Sequence, residues 1–508
     1  MARFTERYPT RPRMAVASPV PRRGRPSRRR WPIATRAFRH LLPGALLLAG
    51  TTCATNPVTG RRELALVSEG QEIQMGQEGA QAVRATMGLV PDSALQRYVA
   101  SLGMMMAKAS ERPNLPWQFA VVDDPVVNAF ALPGGPVFVT RGILTHMNSE
   151  AQLMSVLGHE IGHITARHSV RQISQSQLAQ LGLGVAIIAR PELGQFGDIL
   201  SSGLGLLFLK FGRGDELEAD ELGFRYMVNA GFHPSAMADM FRTLERIGAG
   251  SQGGVPEWLS THPDPGNRVE NTLKRIQETT LPSGLQIRRD EFLQRIEGLV
   301  FGENPRHGYF QQTAFLHPDL RFRMDFPTGW QTQNQPAQVV GLSPQQDAVV
   351  LLSLAPDVTP AQGLSQFLGQ QGIQTRSSSN ASINGLPAAS ASFVANTQQG
   401  TVAGWVAFVQ HSGTTFHLLG YTPAQRISAY DAVLRNAVGS FRPLTDPQAL
   451  NVKPNVVRLV RLSSPMTLTQ FNQQYPSTIP LEQLALINGV EPTTRLAAGM
   501  LVKRVVVQ

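Results

Sequence analysis

Two histidines four residues apart, His159 and His163, stand in a stretch that is otherwise mostly apolar or small. Leu153, Val156 and Leu157 precede them, and Asn148-Ser149-Glu150 supplies a helix start. The pattern predicts one long buried helix from residue 150 to about residue 168. On a helix, residues four apart share a face, so both imidazoles can reach one metal ion. Two histidines that merely pack or solvate are the alternative. Against it, the apolar residues bury the helix, and unpaired buried imidazoles are costly. Glu160 lies beside the shared face, where a carboxylate can take a proton from an attacking water.

A catalytic zinc site takes three protein ligands and keeps one position open. His168 does not fit as the third. It comes one residue too early for the metzincin spacing, whose Gly is also missing, and on a continuing helix it lies about 140° round from His163. It reads as a polar helix-end residue. Asp215-Glu216-Leu217-Glu218-Ala219-Asp220 offers carboxylates instead. Glu216 and Asp220 share a helical face, and Glu218 points nearly opposite. Glu216 can therefore ligate the metal while Asp220 accepts a hydrogen bond from a ligand histidine and sets its tautomer. An acidic first turn complementing the helix dipole explains Asp215 but not the paired face.

His159-Glu160-Ile161-Gly162-His163 followed by Glu216-Leu217-Glu218-Ala219-Asp220 is similar to the zinc metallopeptidase family of the CAAX prenyl proteases, HtpX and BepA. Matching stretches are Asn56-Pro57-Val58-Thr59-Gly60, Asn128-Ala129-Phe130-Ala131-Leu132-Pro133-Gly134-Gly135, and Thr261-His262-Pro263 with Arg268. The resemblance covers residues 56–280. It implies a metalloendopeptidase with one zinc ion held by His159, His163 and Glu216, with Glu160 as base and Asp220 behind a ligand. It also implies that His262 and Arg268 lie near the metal, where His262 either helps stabilise the oxyanion or occupies the open position and locks the site. Val137, Phe138 and Val139, after the Gly-Gly turn, are implied to pair with substrate backbone as an edge strand. The prenyl proteases carry several membrane spans, which are not legible here, so the chain looks closer to the periplasmic members. BepA-like members follow the protease with tetratricopeptide repeats, and no such repeat is visible.

Charge is unevenly placed. Residues 1–40 hold twelve arginines and one glutamate, +11 against a whole-chain net of +10, which leaves −1 for the rest. A nucleic-acid partner thereby loses its support. The arginines precede an apolar run at 41–49, too short to span a bilayer but suited to an export signal. The only cysteine, Cys53, follows it, which suggests acylation and a lipid anchor.

The expected architecture is a multidomain α+β chain. A signal or lipoprotein leader at 1–53 precedes a mainly helical gluzincin protease domain with a small edge-strand sheet at 56–300. A small α+β domain follows at 315–445, faintly similar to PsbP-like folds, and then a βααβ unit at 455–508 that resembles a LysM module and implies peptidoglycan binding. The expected location is the periplasm, on the outer membrane, with unfolded or misassembled envelope proteins as substrates. The competing expectation is a proteolytically silent envelope chaperone or peptidoglycan-binding protein.

Overall fold

The computed structural model describes residues 53–182, 210–250, 258, 262, 267–335, 337–397 and 400–508. The leader at 1–52, Thr261 and Pro263 lie outside the described residues. Cys53 opens the first strand, but its side chain is not described.

A hairpin of β1 (Cys53–Thr55) and β2 (Arg62–Leu64) leads into α1 (Glu69–Met87). The Ser68 hydroxyl accepts from the Gln71 amide, and the Gln71 side chain accepts from Ser68 N (2.9 Å), a reciprocal cap. α2 (Ser93–Lys108) starts where Asp92 accepts from two first-turn amides. β3 (Gln118–Val122), β4 (Ala129–Ala131) and β5 (Pro136–Thr140) form a small sheet in the order β3-β5-β4. Only glycine fits the β4–β5 turn: Gly134 has φ +75°, and a Cβ there would lie 2.6 Å from Ile73 Cα. The order corrects one expectation. Val137, Phe138 and Val139 occupy the central strand, paired parallel to β3 and antiparallel to β4, so their backbone has no free side. A local turn shows only the hairpin partner; the parallel partner comes from farther back in the chain. The strand that packs on the histidine helix and has no second partner among the described residues is β4.

After α3 (Arg141–His146), Ser149 caps α4 (Glu150–Thr165), which is buried along its whole length. The helix does not run on to His168. Arg167 takes a left-handed conformation (φ 58°), and a new helix, α5 (His168–Gly182), begins there. Arg167 is held in that conformation by the buried Glu72 carboxylate (3.0 Å) and the Val67 carbonyl (3.1 Å). α6 (Arg213–Asn229) crosses α4 at close range. A Cβ on Gly162 would lie 3.0 Å from Ala219 O, and one on Gly223 would lie 2.9 Å from His159 N. Three glycines, at 158, 162 and 223, thus let the two backbones touch. α7 (Ser235–Gly250), α8 (Arg268–Glu278) and α9 (Arg289–Ile296) complete this layer.

The described residues after α9 build further hydrophobic clusters of their own. Strands β6 (Tyr309–Gln311), β7 (Ala314–His317), β8 (Phe322–Asp325), β9 (Gln331–Asn334), β10 (Gln338–Leu342) and β11 (Val349–Leu354) come first. After α10 (Pro360–Leu368) come β12 (Ile373–Ser379), β13 (Ala388–Thr397), β14 (Gly400–His411) and β15 (Thr414–Pro423). Then follow α11 (Ile427–Val438), β16 (Arg442–Pro443) and α12 (Pro447–Leu450). They build a seven-stranded antiparallel sheet, β12-β13-β14-β15-β11-β10-β9, and a four-stranded one, β16-β8-β7-β6. The last unit is β17 (Asn455–Arg461), β18 (Met466–Thr467), α13 (Leu468–Gln474), α14 (Leu481–Asn488), β19 (Arg495–Leu496) and β20 (Leu501–Val507). Its strand β17 exchanges backbone hydrogen bonds with residues 298–301. The whole is a mixed, multidomain α+β chain. Among the described residues, no helix is long and apolar enough to cross a membrane.

Candidate metal centre

Helix α4 presents His159 and His163 on one face, and α6 lays Glu216 against them. One ligand atom each from His159, His163, Glu216 and His262 lie within 4.8 Å of one another, and all four residues are buried. The two imidazole Nε2 atoms are 3.0 Å apart. Glu216 comes within 3.4 Å of His159 Nε2 and 3.5 Å of His163 Nε2.

The outward nitrogens are occupied. His159 Nδ1 is 2.9 Å from Asp220 Oδ1, and Asp220 is gripped by Arg268 through Nε (2.8 Å) and Nη2 (2.5 Å). Arg268 also stacks over Phe241 at 4.1 Å. Its guanidinium is therefore turned onto Asp220, with Nη1 3.6 Å from Glu216. His262 has Nδ1 3.0 Å from Glu216 Oε1 and Nε2 3.7 Å from Glu160 Oε1, and Trp258 stacks on its ring.

Glu160 is fully buried, and neither of its oxygens has a hydrogen-bond partner among the described residues; the same is true of Glu216 Oε2. Burial raises the Glu160 pKa above the ordinary carboxylate value. Burial opposes charge on His159, yet Asp220 and Glu216 outweigh it and hold its pKa up to about 9. His163 is driven well below its ordinary value by burial and by His159. Glu216 stays ionised: burial works against it, but the surrounding imidazoles prevail.

This donor set fits a zinc ion. Two imidazole Nε2 atoms and a carboxylate oxygen with no hydrogen-bond partner among the described residues converge inside a buried space, where a cation would take the place of the proton that otherwise charges His159.

Besides Trp258 and Phe241, two further residues beside the centre were not read as such from the sequence. His168 is buried, with Nδ1 2.8 Å from His163 Nδ1, and its Nε2 is 3.1 Å from Glu218 Oε2. The angular reading of His168 assumed an unbroken helix, and the turn at Arg167 swings the residue back. No Gly, Pro or Asn marks that turn. Phe211, stacked on His163 at 4.0 Å, also carried no signal.

Residues 93–276 match the model of Peptidase family M48. The beta-barrel assembly-enhancing protease of Escherichia coli (strain K12) is 30% identical over 256 residues, 48% of this chain and 52% of that protein. The mitochondrial metalloendopeptidase OMA1 of Schizosaccharomyces pombe is 32% identical over 243 residues, 46% of this chain and 71% of that protein. The chain thus spans about half the length of the bacterial relative. Among solved structures, cyanobacterial PsbP (CyanoP) from Synechocystis aligns over 26% of this chain and 91% of its own. Its 12% identity and TM-score of 0.21 carry no argument.

Proposed function

The chain belongs to peptidase family M48, and from that footing we propose that it is a zinc-dependent metalloendopeptidase whose metal is held by His159, His163 and Glu216. The observation that carries the reading is Glu160: a fully buried carboxylate with neither oxygen hydrogen-bonded among the described residues, beside a cluster of converging ligand atoms. A zinc ion held there supplies Lewis acidity toward water and toward a substrate carbonyl.

The protein's own groups do the rest. His159, with Nδ1 committed to Asp220, presents Nε2 inward. Glu160 removes the proton of the attacking water and returns it to the leaving amine. His262 is the candidate donor to the developing oxyanion. Arg268 is a positioning residue, since its fork is spent on Asp220. Substrate backbone, denied β5, has the outer side of β4 (Ala129–Ala131) to pair with.

Glu160→Gln should lower peptide cleavage by about 10²–10⁴-fold while zinc stays bound; casein hydrolysis at the wild-type rate sinks the assignment. Glu216→Ala should lose the metal, and full zinc occupancy by elemental analysis counts against Glu216.

The substrate reading is misfolded or misassembled envelope proteins in the periplasm. It rests on the leader at 1–53 and on the name of the bacterial relative. Comparing the envelope proteomes of the wild type and the Glu160→Gln variant tests it, since substrates should accumulate with the variant. Cys53, placed just after the apolar run, is the proposed acylation site, and loss of fatty-acid labelling in Cys53→Ser tests that. Residues 455–508 are the proposed peptidoglycan contact, checked by cosedimentation of the whole chain with purified sacculi.

A further inference from the structure

We propose that His168 and Glu218 form a positioning relay that decides which nitrogen of His163 faces the metal. The inference deepens the metal reading and rests on it.

The His163 ring has Nε2 turned to His159 Nε2 and Glu216, so that nitrogen must keep its lone pair for a cation. The proton then resides on Nδ1, and Nδ1 is 2.8 Å from His168 Nδ1 with both residues buried. Two nitrogens at that distance with no cation between them need one hydrogen, so His163 Nδ1–H donates and His168 Nδ1 accepts. His168 therefore carries its own hydrogen on Nε2, which donates to Glu218 Oε2 at 3.1 Å. Arg171 steadies that carboxylate: its Nη2 lies 3.7 Å from Glu218, and its Nη1 is 2.5 Å from Asp215.

Every tautomer in the row follows from the one before it, and the row ends on an ionised acid. The neighbouring ligand solves the same problem more directly, with Asp220 touching His159 Nδ1 at 2.9 Å. The two metal histidines are thus oriented by carboxylates on opposite faces of α6. One works directly and the other acts through a second imidazole. Glu218, which the helical angle turns away from Asp220, is aimed at His168 for that reason.

The test is zinc affinity measured by competition with a chelator on the full chain. Wild type is compared with His168→Leu, which has no acceptor, and His168→Asn, whose amide oxygen stands near the lost Nδ1. The relay predicts binding weaker by about 10–100-fold in His168→Leu and partly restored in His168→Asn. Leucine-variant binding within about threefold of a tightly binding wild type overturns the relay alone, as does an equal loss in both variants. A wild type that binds no zinc overturns the metal reading and the relay with it. If His168→Leu does not fold, Glu218→Leu, changed at a more exposed position, carries the test. Binding about three- to tenfold weaker supports the relay, and unchanged binding overturns it.

Discussion

The contact between α4 and α6 makes a prediction in which sign matters more than size. Gly223→Ala adds one methyl group where a Cβ would lie 2.9 Å from His159 N, 3.1 Å from Gly158 C and 3.2 Å from His159 Cα. All three neighbours are backbone and cannot turn aside. Relaxed carbon contacts fall at about 3.5–4.0 Å, so the helices must part by on the order of 0.7 Å. Overpacking of this kind costs about 1–3 kcal/mol. Against it, alanine is favoured over glycine inside a helix by about 1 kcal/mol. The balance is a net loss of roughly 1 kcal/mol. The separation also moves His159 relative to Glu216, which should weaken zinc binding by on the order of tenfold. Gly214, in the first turn of the same helix, has nothing within 4 Å of its built Cβ. Gly214→Ala is therefore the control, and should gain about 0.4–1 kcal/mol and leave zinc affinity unchanged. Denaturant unfolding of the metal-free proteins and chelator competition give both quantities. A Gly223→Ala variant as stabilised as Gly214→Ala, with wild-type zinc affinity, would refute the claim that this close approach builds the centre.

Three other outcomes follow from buried charge. His146 is buried, and desolvation lowers its pKa to about 4, with Lys503 adding to the effect. The unfolded chain therefore binds more protons between the unfolded value near ~6.5 and about 4, and the stability tied to neutral His146 is present above that window and lost as pH falls through it. His146→Leu should flatten the stability difference between pH 6.5 and 4 by about 3 kcal/mol, and identical pH profiles for variant and wild type would exclude the role. Arg268→Leu leaves the buried Asp220 carboxylate with His159 as its remaining partner and should cost about 3 kcal/mol in denaturant unfolding, with part returned in the double variant Arg268→Leu with Asp220→Leu. Arg112 makes hydrogen bonds of 2.6 and 3.1 Å to buried Glu72, which keeps Arg167 at 3.0 Å as a second partner, so Arg112→Met should cost about 1–3 kcal/mol, and a loss below ~1 kcal/mol would show that Arg167 alone satisfies Glu72.

The parts of the centre set by helical period were legible in the chain. A spacing of four puts His159 with His163 and Glu216 with Asp220, and the structure brings these four side chains to one place. The α/β pattern of the later segments was legible for the same reason, because alternation and capping are local. Features set across long distances were hidden. Arg167 turns left-handed under the hold of Glu72 and Val67, 95 and 100 residues earlier, so the place of His168 could not be read from its neighbours. β5 gains its parallel partner β3 from before the β4 hairpin, so its central position was equally out of view. Several strands of 315–445, β9, β10, β12 and β13, escaped as well, β12 because Ser377, Ser378 and Ser379 lie exposed on an edge strand and show no apolar alternation.

A helix buried along its whole length cannot leave its end groups to water, and the first four amides and last four carbonyls have no partner within the helix. For α4 most of those partners come from far along the chain. Ser149 Oγ accepts from Gln152 N. The carbonyls of Arg288 and Ile287 accept from the amides of Glu150 and Ala151, at 3.2 Å each. Tyr98 (2.7 Å) and Arg288 (2.9 Å) hold the Glu150 carboxylate. Just upstream, Lys503 of the last strand donates to the carbonyls of Thr145 and Met147 at 2.9 and 2.7 Å, closing the end of α3. At the other end, Arg112 donates to Ile164 O (3.0 Å) and Asn56 Nδ2 to Ala166 O (3.2 Å). The Asn56 side-chain oxygen meanwhile accepts from Val58 N and Thr59 N, folding its own segment into a turn. Asn56-Pro57-Val58-Thr59-Gly60 thus has a physical reason to be where it is: an asparagine that shapes its own loop with one atom and closes the metal helix with another. Residues 56, 98, 112, 287 and 288 all serve one sixteen-residue helix. That explains how so short an element can hold two imidazoles rigidly enough to present them to one cation.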